Sequence, residues 1–418
     1  MHAKRVRLLI EYLWNVPLST WALFGFLISY LLFFIKPIFL SAQVMQFFKY
    51  VPAIEPIGVD LKQMLSYSES WFIANQTPYI GKNLYPPLAS VLFTPLLILN
   101  FALAFKVITL VNVLCYILIT LVFPLRAGKN KQFSPLLMLM FVTGLFSYGF
   151  QFELERGQFN VIAMFFCFLA IWIYHNGKYR YLAYFLFIFS VQLKVYPFIF
   201  IVMFIKNWRD WKNNIKRFSA LTILNLALFF VLGPQVFIDF VKAIMAQTLN
   251  PYIWVGNHSI RSFVTLASKN WAWAFLHPRL TQLAFLFIIA VCIFIIMLQC
   301  YRQKWNGINS YLLLACTIGA LLIPSVSHDY KLSILAAPVA FLFNDELSFA
   351  ERAHQFHLHI IFIVLTLTVS VSYSLTLFSY TNKPAMLSNN FPALFTMLLI
   401  VTSLSLLVSK SRVEGSVS

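Results

Sequence analysis

Charge is scarce in this chain and negative charge scarcer still: 11% of its 418 residues are charged, with 13 Asp and Glu against 31 Lys and Arg. The ten-residue segments of alternating polarity that mark a membrane barrel are missing, because the apolar runs are continuous and about 15 to 23 residues long. Cysteine is sparse, and Cys115, Cys167, Cys292, Cys300 and Cys316 all fall inside apolar runs with no CxxC spacing. They read as small buried hydrophobes, which excludes a disulfide framework and a thiolate metal site. No internal repeat and no low-complexity segment is present. What is there is apolar: 61% hydrophobic residues and a mean hydropathy of +0.79. The chain is read as an all-α polytopic membrane protein, a single transmembrane domain over residues 1–418, with no room for a soluble domain. The net charge of +18 does not call for nucleic acid, since Lys and Arg cluster in short loops between apolar runs, as the positive-inside bias requires.

The basic start Lys4-Arg5-Val6-Arg7 precedes an apolar stretch without a clear cleavage site, and is read as a retained signal anchor. A first span over residues 17–40 then places residues 41–100 outside, as a long first outer loop with juxtamembrane or re-entrant helices. The run 88–99 is too short to cross a core of about 30 Å and is expected to lie in the outer leaflet. With that parity, 102–123 runs inward, 133–150 outward, 151–160 forms a short external loop and 161–174 returns. The stretch 181–205 has basic flanks at both ends and is interrupted by Lys194-Val195-Tyr196-Pro197. Two short helices with Lys194 at their outer tip reconcile the flanks, and a lysine inside an apolar stretch is a functional candidate by default. A second long outer segment covers 233–278, and a tight polar turn covers 324–331. The total expected is roughly 11–13 membrane helices with both termini cytoplasmic, in the plasma (bacterial inner) membrane.

This topology sorts the acids. Glu11, Asp210, Asp345, Glu346, Glu351 and Glu414 fall among cytoplasmic basic residues, whereas Glu55, Asp60, Glu69, Glu153, Glu155, Asp239 and Asp329 fall outside. None lies in the middle of a continuous span, where coupled transporters keep one. The outer cations are Lys62, Lys82, Arg156, Lys194, His258, Arg261, His328 and Lys331. One carboxylate facing several cations at a membrane surface suits a reaction on a lipid-borne phosphate: the cations neutralise the leaving phosphate and the carboxylate takes a proton from an incoming hydroxyl. Asp60 is followed at helical spacing by Met64, Tyr67 and Trp71, which indicates an amphipathic helix starting near Asp60. Spacing alone suits a helix cap as well as a catalytic group. The tract His354, His357, His359 lies on the cytoplasmic side, and no metal site is expected.

Asp60 with Tyr67, Gln76-Thr77-Pro78-Tyr79, Leu84-Tyr85-Pro86-Pro87-Leu88, Arg156-Gly157-Gln158-Phe159-Asn160, Leu193-Lys194-Val195-Tyr196-Pro197, Gly256-Asn257-His258-Ser259-Ile260 and Ser327-His328-Asp329-Tyr330 follow one another in this order. That order resembles glycosyltransferase family 87, polytopic C-type (GT-C) enzymes that use polyprenyl-phosphate sugars, mycobacterial mannosyltransferases among them. The resemblance implies a GT-C-like fold and transfer of a hexose, often mannose, from polyprenyl phosphate to a hydroxyl of a glycolipid or glycan on the outer face. It implies Asp60 as general base of an inverting displacement, and Lys194, Arg156, His328 and Lys331 on the donor phosphate. Tyr85, Gln158, Asn160, Asn257, His258, Arg261 and Tyr330 are then expected around the sugar or acceptor. No cofactor is expected, the lipid-linked sugar being substrate; other partners are membrane lipids and not nucleic acid. His258 stands where the family usually has Gln, and Glu153 and Glu155 receive no role. A lipid-linked sugar flippase, and an outer-face glycan ligase or polymerase using a pyrophosphate carrier, are the competing readings.

Overall fold

The computed structural model describes residues 57–79, 83–128, 135–145, 147–253, 256–270, 277–305, 307–350 and 391–414. The expected first span, Glu55, Lys82 and the three-histidine tract lie outside the described residues. The described chain is helical; its only β feature among these residues is an isolated antiparallel bridge between Asn257 and His328.

Helix α1 (Val59–Phe72) opens the described chain, with Gly58 in the left-handed region at φ 71 as its N-cap. Asp60 lies in the first turn and makes no cap hydrogen bond, so the cap alternative does not apply. The stripe below it is as expected: Met64 is fully buried, and Tyr67 and Trp71 are half-buried.

Helix α2 (Pro87–Phe93) passes into a 3-10 turn (Thr94–Ile98), giving an apolar helix too short to cross a membrane. Prolines set both pieces. Pro87 starts the first, Pro95 sits at the start of the second, and the Asn100 side chain then accepts from Leu103 N–H at 2.9 Å to begin α3.

Helix α3 (Phe101–Ala127) is a span of 27 residues, widened to a π turn at Leu118–Val122 just before Pro124, which has no N–H to continue the α pattern. Next come α4 (Pro135–Leu145), α5 (Tyr148–Arg156) and α6 (Asn160–Asn176). Here the structure corrects the expectation of one outward run and a loop over 151–160. The apolar run stops by Ser147, and 151–156 is helical, bent by 112° against α6. The reason is tertiary: α5 packs lengthwise on a 3-10 segment (Asp329–Leu335), burying Phe150 and Glu153.

Helix α7 (Arg180–Leu193) ends at Lys194, which is extended, and a 3-10 segment (Tyr196–Phe204) follows. The break expected at Lys194-Val195-Tyr196-Pro197 is therefore present, with Pro197 in the first turn of the second piece. Helices α8 (Trp211–Leu228), α9 (Pro234–Leu249) and α10 (Ile260–Asn270) follow, so much of the expected outer loop 233–278 is helix. Then come α11 (Pro278–Arg302), α12 (Ser310–Leu322), α13 (Ala336–Ala350) and α14 (Phe391–Glu414).

Helix α12 forms the centre: all of its 13 residues are buried, against α11, α13, α14 and the 3-10 segment after Lys194. Ala315, Gly319 and Ala320 let neighbours approach closely, the means by which helices associate where lipid is as apolar as the core. Helix α11 instead exposes Leu280, Leu283, Phe287 and Phe294, an outer face suited to acyl chains. Two described helices, α3 and α11, are long and apolar enough to cross a membrane, and the α5–α6 pair passes the same test only when its two pieces, bent by 112°, are counted as one. The other apolar helices run 10–17 residues, so 11–13 full spans are not seen among the described residues.

Candidate active site

Two glycines let the site assemble. Gly157, at φ +64, ends α5, and a Cβ there would sit 2.7 Å from Leu61 Cβ; one on Gly58 would sit 2.8 Å from the Phe105 ring. The Gly58 N–H donates to the Glu155 carbonyl at 2.7 Å, so the start of α1 and the end of α5 touch through backbone. That contact brings Arg156 to Asp60.

The Arg156 guanidinium holds Asp60 in a fork, Nη2 to Oδ1 at 2.6 Å and Nε to Oδ2 at 3.1 Å. Gln158 Nε2 donates to the same Oδ2 at 2.6 Å, and Lys194 Nζ donates to Gln158 Oε1 at 2.7 Å. The order Arg156, Asp60, Gln158, Lys194 is thus one continuous hydrogen-bonded chain. Tyr85 OH lies 3.2 Å from Gln158 Nε2, and Lys194 Nζ stands 4.4 Å above the Tyr85 ring and 4.3 Å above the Phe159 ring. An ionised carboxylate can accept about four hydrogen bonds. Asp60 accepts three from these side chains, and an acceptor position remains on Oδ1.

Beside this chain lies a cavity of about 640 Å³, which Tyr85, Asn160, Lys194, Arg261, His328, Tyr330 and Lys331 help to line. Phe240, Val241, Ile244 and Met245 of α9, with Ile323 and Val326, give it an apolar side. Its cations, Lys194, Arg261 and Lys331, face no lining carboxylate. Lys331 Nζ donates to the Ala320 carbonyl at 2.6 Å and sits 4.5 Å above the Tyr196 ring. Arg261 donates to the carbonyls of Thr248 and Leu249, closing the C-terminal end of α9. Asn160 Nδ2, buried at the cavity wall, has no hydrogen-bond partner among the described residues. A buried amide left unmade is costly, and it is aimed where a ligand oxygen can satisfy it.

The structure separates the expected site residues into two sets. Asp60, Arg156 and Gln158 stand immediately behind Tyr85, and Tyr85, Asn160, Lys194, Arg261, His328, Tyr330 and Lys331 face the cavity. Asn257 and His258, also expected around the sugar or acceptor, do not line it. Asn257 Nδ2 donates to the carbonyls of Tyr252 and Ser325, while its Oδ1 accepts from the N–H groups of Ser259 and Ser327. All its capacity goes to pinning two loops together. His258 Nε2 bonds Asp329 Oδ1 at 2.6 Å with both side chains sealed from solvent. They hold the turn that presents His328, Tyr330 and Lys331.

His328, in that turn, is held neutral: burial lowers it to about 4, and the nearby Asp329 and Asp60 charges only partly offset this. It can offer a neutral imidazole to a ligand, not the cation the sequence suggests. Asn112 was passed over as part of a continuous span, yet its Nδ2 donates to the Gln158 carbonyl at 2.6 Å and fixes the residue that links Asp60 to Lys194. A lone amide inside an apolar run was the available signal. Among the described residues no three His, Cys, Asp or Glu side chains converge as a metal site.

No curated protein matches the chain. The model of glycosyltransferase family 87 matches residues 83–325, which takes in every site residue named above from Tyr85 to Arg261 and stops just short of the turn carrying His328. Arg156, Gln158 and Lys194 of the bonded chain and both helices of membrane-spanning length fall within that match, whereas Asp60 and Lys331 lie outside it, and the chain belongs to glycosyltransferase family 87.

Proposed function

We propose that this membrane glycosyltransferase takes a hexose, mannose being the first to test, from a polyprenyl-phosphate carrier and passes it to a hydroxyl of a glycolipid or glycan on the outer face. The observation that carries the reading is the bonded chain from Arg156 through Asp60 and Gln158 to Lys194, ending at a cavity whose lining cations face no lining carboxylate. A phosphate there meets Lys194 and Lys331, while the apolar α9 side suits the first isoprene units. The acceptor hydroxyl donates to the open position on Asp60 Oδ1. As its oxygen bonds the anomeric carbon, the carbon–oxygen bond to phosphate breaks on the opposite face, the proton passes to Asp60 and the polyprenyl phosphate leaves. Arg156 keeps Asp60 oriented until then, and the lysines offset the charge gained by the departing monophosphate.

In this proposal the cations supply that charge and no metal takes part. The test is hexose transfer from a defined polyprenyl-phosphate sugar by the purified protein, analysed for anomeric configuration. Inverted product, lost with Asp60→Asn and insensitive to chelator, is expected. Retained configuration, or transfer only from pyrophosphate carriers, would overturn the mechanism or the donor class respectively.

A further inference from the structure

Helices α6 and α7 each reach the cavity at one end, through Asn160 and Lys194. Their other ends, Asn176 and Arg180, are joined by a short turn, and α6 has 17 residues, so that turn lies about 25 Å from the cavity. A hydrocarbon core is about 30 Å thick. The turn therefore stands at the membrane face opposite the cavity.

Three segments meet there. A Cβ on Gly177, in the turn, would sit 3.3 Å from Lys206 Nζ, two residues beyond the 3-10 segment that follows Lys194. Arg217 Nη1 donates to the Phe204 carbonyl at 2.7 Å and its Nε to the Tyr184 hydroxyl at 3.1 Å, which ties α8 to that segment and to α7. Farther along, Gln192 Nε2 donates to Asn225 Oδ1 at 3.1 Å; both contacts between α7 and α8 join residues 33 positions apart. The two helices thus run parallel, and both begin at this face.

The result is a cluster of one sign. Lys178, Arg180, Lys206, Arg209, Lys212 and Lys216 are all exposed, and no salt bridge among the described residues includes them. The acid these segments carry, Asp210, is occupied as the α8 N-cap, accepting from the Asn213 N–H and side-chain amide. Helix stability does not account for the cations, since Arg180 and Lys212 stand in first turns, where the helix dipole disfavours positive charge. Sidedness asks for basic loops but for no fixed arrangement of them. Here the arrangement is fixed: Asn207 accepts from the Arg209 N–H at 3.0 Å and from Asn214 Nδ2 at 2.9 Å, and Asn214 Oδ1 accepts from Arg217 at 2.8 Å.

The surroundings indicate what the cations meet. Tyr179, Tyr181 and Trp211 stand exposed beside them, and Phe185 on α7 with Ile215 and Ile223 on α8 continue an exposed apolar surface along the helices. Aromatic rings between cations and an apolar surface mark the level of lipid headgroups. A soluble polyanion would match the charge and leave the apolar surface bare; a lipid matches both.

We infer that this cluster is a binding site for an anionic phospholipid, its phosphate held by the α6–α7 turn and the start of α8, its acyl chains lying along the exposed α7 and α8 surface. The site needs only that the chain spans a membrane, and is independent of the donor chemistry.

The experiment titrates full-length protein in neutral detergent with short-chain phosphatidylglycerol, and with phosphatidylcholine of the same chains, and reads bound lipid by native mass spectrometry. Wild type is expected to prefer phosphatidylglycerol by about tenfold or more. Lys206→Gln, Arg209→Gln and Lys212→Gln combined should weaken phosphatidylglycerol about 10- to 100-fold and leave phosphatidylcholine unchanged. Lys242→Gln, Arg279→Gln and Lys304→Gln combined remove the same charge from exposed positions elsewhere and should leave the preference in place. Equal losses in the two triple variants, or no preference in wild type, overturn the inference. Full competition by soluble glycerol phosphate also overturns it, making the ligand a free phosphate and not a lipid. Should the first triple variant not fold, Arg209→Gln and Lys212→Gln singly decide: a weakening of about fivefold in each supports the site, and unchanged affinity in both overturns it.

Discussion

Two acid–base contacts in this protein have the same length and opposite situations. Asp60 meets Arg156 at 2.6 Å with the arginine side chain 31% exposed, whereas Asp329 meets His258 at 2.6 Å with both side chains 1% exposed. The first has an open acceptor position on Oδ1, a relay to Lys194 and a cavity beside it. The second is enclosed, with the Asn257 bracket tying its loops together. Bond length does not tell the two carboxylates apart; exposure of the partner and unspent bonding capacity do. Both contacts stand in polar motifs of the same kind in the sequence.

The largest effect that could break this contrast is at Asp60. Asp60→Asn keeps the shape and loses the base, so transfer should fall by about 10²- to 10⁴-fold with the melting temperature nearly unchanged. Near-normal turnover would show that the two pairs are alike after all. At the sealed pair the loss should move to stability: His258→Ala leaves a buried carboxylate without its partner, at a cost of about 3–5 kcal/mol, read as lower folded yield and melting temperature. Turnover per folded molecule should survive better than in Asp60→Asn, and an equal loss with unchanged stability would place His258 in the chemistry.

Smaller effects sharpen the same line. Lys194→Met keeps the stem over Tyr85 and Phe159 but removes the charge; with a charged hydrogen bond worth about 1.5–3 kcal/mol, the donor KM should rise about 10- to 100-fold. A change confined to kcat would move Lys194 from donor binding to the reaction step. The mildest test is pH. Folded His328 titrates at about 4, below the ordinary 6.5, so the unfolded chain takes up the proton first. Its stabilising contribution is complete above pH 6.5 and is lost as pH falls toward about 4. The activity profile of wild type and His328→Gln should accordingly show no histidine limb near 6.5; a limb present only in wild type would mean that His328 works as a cation.

Much of the site was legible because its residues sit in compact polar motifs interrupting apolar runs, where each polar group is expensive and has to be used. Lys194 showed itself in this way, as did the break after it. Asn257 and His258 carry the same signal yet bond other loop groups, because spacing does not tell a side chain aimed at a cavity from one turned into a loop bracket. Asn112 went unnoticed for the opposite reason: a single amide does not interrupt a helix, and its partner, the Gln158 carbonyl, lies 46 positions away.

The sequence by itself determined the solvent and, through the order of its motifs, the family. Continuous apolar runs require helices in lipid, since only there are all backbone groups satisfied within the segment. Tertiary structure alone decided which groups meet. The α5 bend, the contact of Gly58 with Glu155 and the lengthwise packing of α5 on the segment 329–335 carry Arg156 to Asp60 and bury Glu153. Those distances depend on surfaces far apart in the chain, which no local pattern encodes.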